Sequence, residues 1–239
     1  NDFWKVRLPE LLTDIGLDIP PEQYDDLIID EGQDFKAGWV EALSLFLDPD
    51  GSLYIFRDDF QNIYRGEDAA AAVNVEPLEL SENVRNTQAI FRVGNVFRTG
   101  SAQTCLGPEG MPVSWIPCER SKTFRTVDRE VGRLLTSDDI APEDIAVLCG
   151  CGAELSVMRQ AETVAGRRWT PADEPAENCI IVDSIMRFKG LDRPVVILCE
   201  IETADSEVAY VGLTRAKSHL IVVGEEAAVD RLGRVAANR

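Results

Sequence analysis

Four short runs in the second half of the chain are apolar without interruption: Ile145-Ala146-Val147-Leu148-Cys149, Ile180-Ile181-Val182, Val195-Val196-Ile197-Leu198-Cys199 and Leu220-Ile221-Val222-Val223. Runs of this length, rich in β-branched residues, read as strands buried on both faces. Such strands belong to parallel sheets covered by helices. The segments around them agree. Phe124, Val127, Val131, Leu134 and Leu135 follow helical spacing, and Leu155 to Val164, Val208 to Lys217 and Glu225 to Ala237 also read as helices. A further helix starts at Asn86-Thr87 with Ile90, Phe91 and Phe97 on one side, and Val113 to Ile116 reads as one more strand. Strands that alternate with helices in this way imply an α/β fold built on a parallel sheet.

The first part of the chain looks like half of such a unit. Residues 1–24 carry an apolar pattern broken by Pro9 and Pro20-Pro21, which reads as helix and loop. Leu27-Ile28-Ile29 is a buried-type strand, Trp39 to Leu47 has helical spacing, and Leu53-Tyr54-Ile55-Phe56 is a second strand. Between the last two, Asp48-Pro49-Asp50-Gly51 is a strong turn. A composition shift over residues 65–79, with four alanines, marks a domain crossing, so the chain divides into 1–75 and 76–239.

Hydrophobic residues make up 45% of the 239, enough for a core in each part. No apolar run approaches the ~20 residues of a membrane span, and no signal peptide opens the chain, which points to the cytoplasm. The chain begins Asn1-Asp2-Phe3-Trp4-Lys5, without an initiator Met, and reads as a piece of something longer. The formal charge of −18 argues against a large surface that tracks nucleic-acid phosphates, but leaves room for a narrow contact. Of six cysteines only Cys149 and Cys151 are close in sequence, with no His or second pair nearby. They read as small core residues in a reducing compartment rather than as a zinc site.

Five stretches carry candidate chemistry. Asp30-Glu31 follow the first strand directly. In open α/β sheets, ligands sit beyond the carboxyl ends of the strands, where one carboxylate can hold Mg²⁺ and a second can orient or deprotonate water. Gln61 follows the second strand, where an amide can sense a phosphate. Arg85 precedes a helix at the start of the second domain, where a guanidinium can reach a transferring phosphoryl group. Lys189-Gly190 stand in a crossover loop whose N–H groups and cation suit a phosphate. Arg215 and Lys217 fall in the last turn of the predicted 208–217 helix, where the helix dipole favours cations in any case. Taken singly, each stretch is equally an acidic loop, a polar loop, a capped helix, a crossover or a helix end.

Taken in order, they resemble the UvrD/Rep-like superfamily 1 DNA helicases. Asp30-Glu31-Gly32-Gln33-Asp34 resembles motif II (Walker B), and Asp58-Asp59-Phe60-Gln61-Asn62-Ile63-Tyr64 resembles motif III. Asn83-Val84-Arg85-Asn86-Thr87-Gln88 is similar to motif IV. Phe188-Lys189-Gly190-Leu191-Asp192 with Pro194-Val195-Val196 is similar to motif V, and Tyr210-Val211-Gly212-Leu213-Thr214-Arg215-Ala216-Lys217 to motif VI. The resemblance implies RecA-like P-loop NTPase domains, one partial and one nearly complete, with ATP and Mg²⁺ as cofactors. Asp30 would hold Mg²⁺, Glu31 would be the base for water, and Gln61 would sense the γ-phosphate. Arg85 and Arg215 would be arginine fingers, and Asp192 with Gly190 would lie against the nucleotide. Tyr64, Ser184, Arg187 and Lys189 would meet single-stranded or partly duplex DNA, or RNA, gripped without reading sequence.

The chain departs from the family at named positions. Val84 replaces the aromatic before the motif IV Arg, Met186 replaces the motif V His, and Asp192 stands where the family has Glu. The base-stacking Trp common after motif III is missing. Residues 98–179 leave no room for the large inserted subdomain of UvrD or Rep. No G-x-x-x-x-G-K-[ST] occurs, so the resemblance implies an upstream P-loop segment as a partner. Two other readings stay open: a catalytically silent nucleic-acid-binding or regulatory module, and an ATPase that remodels a protein complex.

Overall fold

The computed structural model describes residues 2–18, 24–61, 73, 76–98, 103–152, 154–202 and 204–237. Two compact units are present, Asn1–Glu79 and Leu80–Arg239. Among the described residues no helix is long and apolar enough to cross a membrane.

The first unit runs α1 (Leu8–Asp18), β1 (Tyr24–Ile29), α2 (Ala37–Ser44) and β2 (Leu47–Ile55). Pro9 sits one residue into α1, which continues directly from a π-helical turn at Phe3–Arg7, so the expected break at Pro9 does not occur. Strands β1 and β2 pair in parallel, with Ile28 opposite Tyr54 and Ile29 opposite Ile55. One face of this pair packs Ile29 and Val40 with Leu27, Phe35, Leu53 and Ile55. On the other face Ile28, Tyr54 and Phe56 are exposed. The expectation that 27–29 is buried on both faces is therefore corrected. Among the described residues of this unit only β1 and β2 pair, and α2 covers one side of them. The expected turn at Asp48–Gly51 also moves. Its chemistry is present, since the Asp50 N–H donates to Asp48 Oδ1 at 2.9 Å. It lies inside β2, however, where the partner of β1 jumps from Leu47 to Ser52 between Tyr24 and Asp26. Helix α2 accordingly ends at Ser44 rather than reaching Leu47.

The second unit opens with β3 (Glu82–Asn83), α3 (Gln88–Asn95), β4 (Thr104–Cys105), β5 (Ser114–Pro117), α4 (Thr123–Thr136) and β6 (Ile145–Cys149). It continues with β7 (Thr163–Val164), β8 (Arg167–Thr170), β9 (Ile180–Ser184), β10 (Arg193–Cys199), α5 (Ser206–Leu213), β11 (Ala216–Gly224) and α6 (Glu226–Ala237). Seven strands form one sheet in the order β5-β11-β10-β6-β9-β8-β7, parallel throughout except for the β7–β8 pair. The four apolar runs are its middle strands, and every residue of β6 is buried. Helix α4 presses Val127, Val131 and Leu134 into that core. Each contributes about 1.5–3 kcal/mol by leaving water. The exposed Arg129–Glu130 pair on the same helix is worth roughly 0–1 kcal/mol, so packing holds α4 in place.

Two predicted helices are corrected. Residues 155–164 form a single 3-10 turn at Met158–Gln160, which puts Met158 into the core, and then enter the β7–β8 hairpin. Ala165 (φ 50°) and Gly166 (φ 70°) make its two-residue turn, with both residues left-handed as such hairpins require. The 208–217 helix is displaced to Ser206–Leu213. Asp205 caps its start by accepting the Val208 N–H at 2.9 Å. At its end the Thr214 hydroxyl bonds back to Tyr210 O and Val211 O, and β11 begins at Ala216. Arg215 and Lys217 thus lie past the helix, and the helix dipole does not explain them.

Candidate functional site

In the first unit, β1 ends at Ile29 and the chain turns at once. Gly32 N–H donates to Phe56 O at 2.8 Å, and a Cβ at Gly32 would stand 2.4 Å from Ile55 Cγ2. Only glycine lets the loop lie this close to the end of β2. Asp30 is exposed at the strand end, with Oδ1 accepting the Glu31 N–H at 2.9 Å. Glu31 takes a left-handed backbone (φ 52°), a conformation that costs a non-glycine residue roughly 1–3 kcal/mol and is held where surroundings enforce it.

Gln33 supplies part of that enforcement. It is 2% exposed. Its Nε2 donates to Glu31 Oε2 at 2.5 Å, and its Oε1 accepts the Asp58 N–H at 3.0 Å. The Asp58 carboxylate accepts the Phe60 N–H at 3.1 Å and Gln61 Nε2 at 2.9 Å. The loop after β1 and the loop after β2 are therefore one hydrogen-bonded chain, Glu31–Gln33–Asp58–Gln61. Sequence reasoning gave Gln33 and Asp58 no role. Their signal is a Gln and an Asp at the two strand ends, each able to bond a backbone and a side chain together. Tyr64 lies outside the described residues.

In the second unit, Asn86 draws two distant stretches together. Its Nδ2 donates to Thr214 O at 3.1 Å and Ala216 O at 2.6 Å, its Oδ1 accepts Asn83 Nδ2 at 3.0 Å, and Thr87 N–H donates to Lys217 O at 3.0 Å. Residues 83–87 are thereby stitched to 214–217. This places Arg85 beside Asp192. Arg85 Nε lies 3.6 Å from Asp192 Oδ2, and Lys217 Nζ lies 2.7 Å from Asp192 Oδ1. Arg85 is half-exposed. Arg215 is the opposite: 1% exposed, with Nε donating to Val211 O at 3.0 Å and Nη1 to Leu191 O at 3.2 Å. Arg85, Asp192 and Lys217 thus form one cluster, while the Arg215 guanidinium is turned into the fold onto Val211 O and Leu191 O. Lys217 received no separate role from sequence. Its position one residue into β11, facing the loop before β10, is a tertiary fact.

The motif V-like loop forms a second cluster. Ser184 ends β9 and is buried, and its Oγ accepts the Arg187 N–H at 3.3 Å. The Arg187 guanidinium meets Asp173 Oδ1 at 2.7 Å and Asp183 Oδ1 at 3.3 Å. The charge of Asp183, then the Asp173 hydrogen bond, raise its pKa above the ordinary value. Asp183 is fully buried and also receives the Ala172 and Ser184 N–H groups and Arg159. Arg187 is therefore engaged with two carboxylates. Lys189 is half-buried, and Gly190 carries φ 81° at the loop's exit.

No protein-family model matches this chain. No curated protein matches it either. Among solved structures it is similar to the C-terminal domain of a possible DNA helicase from Lactobacillus plantarum WCFS1. Identity is 19%, the TM-score is 0.47, and the match covers 64% of this chain and 94% of that one.

Proposed function

We propose that this chain is the C-terminal portion of an ATP-dependent, UvrD/Rep-like superfamily 1 helicase. It would hold part of one RecA-like domain in residues 1–75 and nearly all of a second in 76–239. The observation that carries the reading is the order in one chain of five motif-like segments: 30–34, 58–64, 83–88, 188–192 and 210–217. Two arrangements support it: the carboxylate pair at the end of a parallel strand, joined to Gln61, and the Arg85–Asp192–Lys217 cluster.

The residues suit Mg²⁺-ATP in their chemistry. An exposed carboxylate at a strand end is the donor that a hydrated Mg²⁺ takes, and Asp30 is one. Bound there, Mg²⁺ would neutralise charge on the phosphates. Glu31 would orient water and accept its proton, with Gln33 fixing its carboxylate. Arg85 would stabilise charge on the transferring group, held ready by Asp192. Arg215 reaches a phosphate only by releasing Leu191 O and Val211 O, so the nucleotide-bound state has a different Arg215 rotamer. Lys189 and Tyr64 would face single-stranded nucleic acid, while Ser184 is buried and Arg187 would first have to leave its two carboxylates.

The test joins the chain to a P-loop-bearing segment and measures ATP turnover with and without single-stranded DNA. The expected result is stimulated turnover, lowered by about 10²–10⁴-fold in Glu31→Gln. No stimulation would sink the helicase reading. The charge of −18 favours a second reading, a helicase-like module that binds and never turns over. That reading predicts strand binding with no hydrolysis even when the P-loop is supplied.

A further inference from the structure

The ends of β6 and β10 hold a group of side chains that the proposed function does not use. These strands are neighbours in the sheet, with Cys149 in register with Cys199. The chain leaves β6 toward β9 on one side and leaves β10 toward β11 on the other. Their carboxyl ends therefore flank the topological switch point, where open α/β sheets form a crevice for ligands. Backbone approach there is close. Gly150 N–H donates to Cys199 O at 2.8 Å, and a Cβ at Gly150 would lie 2.5 Å from Glu200 O.

Four side chains converge at this point. Cys149 Sγ and Cys199 Sγ are 3.9 Å apart, and both are buried. With a Glu200 oxygen they form a set whose ligand atoms all lie within 4.8 Å of one another. Glu200 is 1% exposed and has a left-handed backbone (φ 53°). Its Oε2 accepts Ser156 Oγ at 2.5 Å, and its Oε1 accepts the Val157 N–H at 3.0 Å. Among the described residues no Lys or Arg pairs with Glu200, and a carboxylate buried without a cation is costly.

We propose that Cys149, Cys199 and Glu200 bind a thiophilic divalent cation of the Zn²⁺ class. Two sulfurs each about 2.3 Å from a tetrahedral ion stand ~3.8 Å apart, close to the separation found here. A disulfide needs about 2.05 Å between the sulfurs. Thiolates with one carboxylate suit Zn²⁺ better than Cu(I), which takes sulfur alone, or Mg²⁺, which takes oxygen. The isolated Cys149-Gly-Cys151 pair reads in sequence as core because its partners lie fifty residues away, on a neighbouring strand.

The test treats the purified 239-residue chain with a chelator under reducing conditions, then titrates Co²⁺ and Zn²⁺. The expected result is one Co²⁺ per chain with a sulfur-to-cobalt charge-transfer band, displaced by Zn²⁺. Cys149→Ser and Cys199→Ser lose the band while circular dichroism confirms that they fold. Glu200→Gln weakens Co²⁺ at least about tenfold. Absence of the band in the folded wild-type chain overturns the proposal. So does a band that survives in Cys199→Ser, or a Cys149–Cys199 disulfide that forms in air while the reduced chain binds no metal.

Discussion

Asn86 is the residue whose removal bears most directly on how Arg85 is placed. It is 3% exposed. Its amide satisfies two carbonyls, Thr214 O at 3.1 Å and Ala216 O at 2.6 Å, and its Oδ1 accepts Asn83 Nδ2 at 3.0 Å. Asn86→Ala strands three polar groups. Each bond carries about 1 ± 0.5 kcal/mol, so the loss should be about 1.5–4.5 kcal/mol, a fall in melting temperature of roughly 3–18 °C for a unit of this size. Asn86→Asp keeps the shape but aims a carboxylate at two carbonyl oxygens, and at pH 7 it should cost at least as much as Ala. Lowering the pH protonates that carboxylate and restores one donor, so the Asp variant should recover in acid relative to Ala. Urea unfolding of wild type and both variants at pH 7 and pH 5 measures this. If Ala and Asp both fall within about 0.5 kcal/mol of wild type, the stitch between 83–87 and 214–217 does not exist.

Three further outcomes follow from the structure. Gly150→Ala forces a methyl to within 2.5 Å of Glu200 O and should destabilise the second unit by about 1–3 kcal/mol in urea. His219 has a pKa lowered by burial and then by Arg133, with Asp138 and Glu130 opposing. The folded chain therefore prefers its neutral form. Its contribution is whole above the ordinary value of 6.5 and is lost as pH falls below it, so His219→Gln should lose less stability than wild type between pH 7.5 and 5.5. On the proposed function, where Lys189 meets a strand phosphate, Lys189→Ala should weaken binding of a poly-dT strand and of a mixed-sequence strand by the same factor in fluorescence anisotropy, because a phosphate contact carries no sequence information.

How far the fold was legible can be traced residue by residue. The runs at 145–149, 180–182, 195–199 and 220–223 were readable as middle strands because a strand buried on both faces has no polar position to disguise it. Leu155 to Val164 misled because Met158 enters the core from a 3-10 turn and Val164 from the short strand β7, and apolar content alone does not distinguish that from a helix face. The Asp48–Gly51 turn chemistry was sound, but local signals do not say whether a turn joins two elements or bulges from one. At the candidate site, Asp30, Glu31, Arg85 and Arg215 were named from sequence. The inward lock of Arg215 depends on the Leu191 and Val211 carbonyls, and the bridge from Glu31 to Gln61 depends on Gln33 and Asp58. Both are matters of tertiary placement.

In the proposed function, Glu31 and Arg85 act on the same transferring phosphoryl group. The most direct measurement is a double-mutant cycle on DNA-stimulated ATP turnover, made with the chain joined to a P-loop segment. It compares Glu31→Gln, Arg85→Ala and the double variant. Groups that act as a unit are strongly non-additive. The account predicts that each single change removes nearly all stimulated turnover and that the double change costs little more than either. Turnover that persists in Arg85→Ala, or losses that multiply in the double variant, would contradict it.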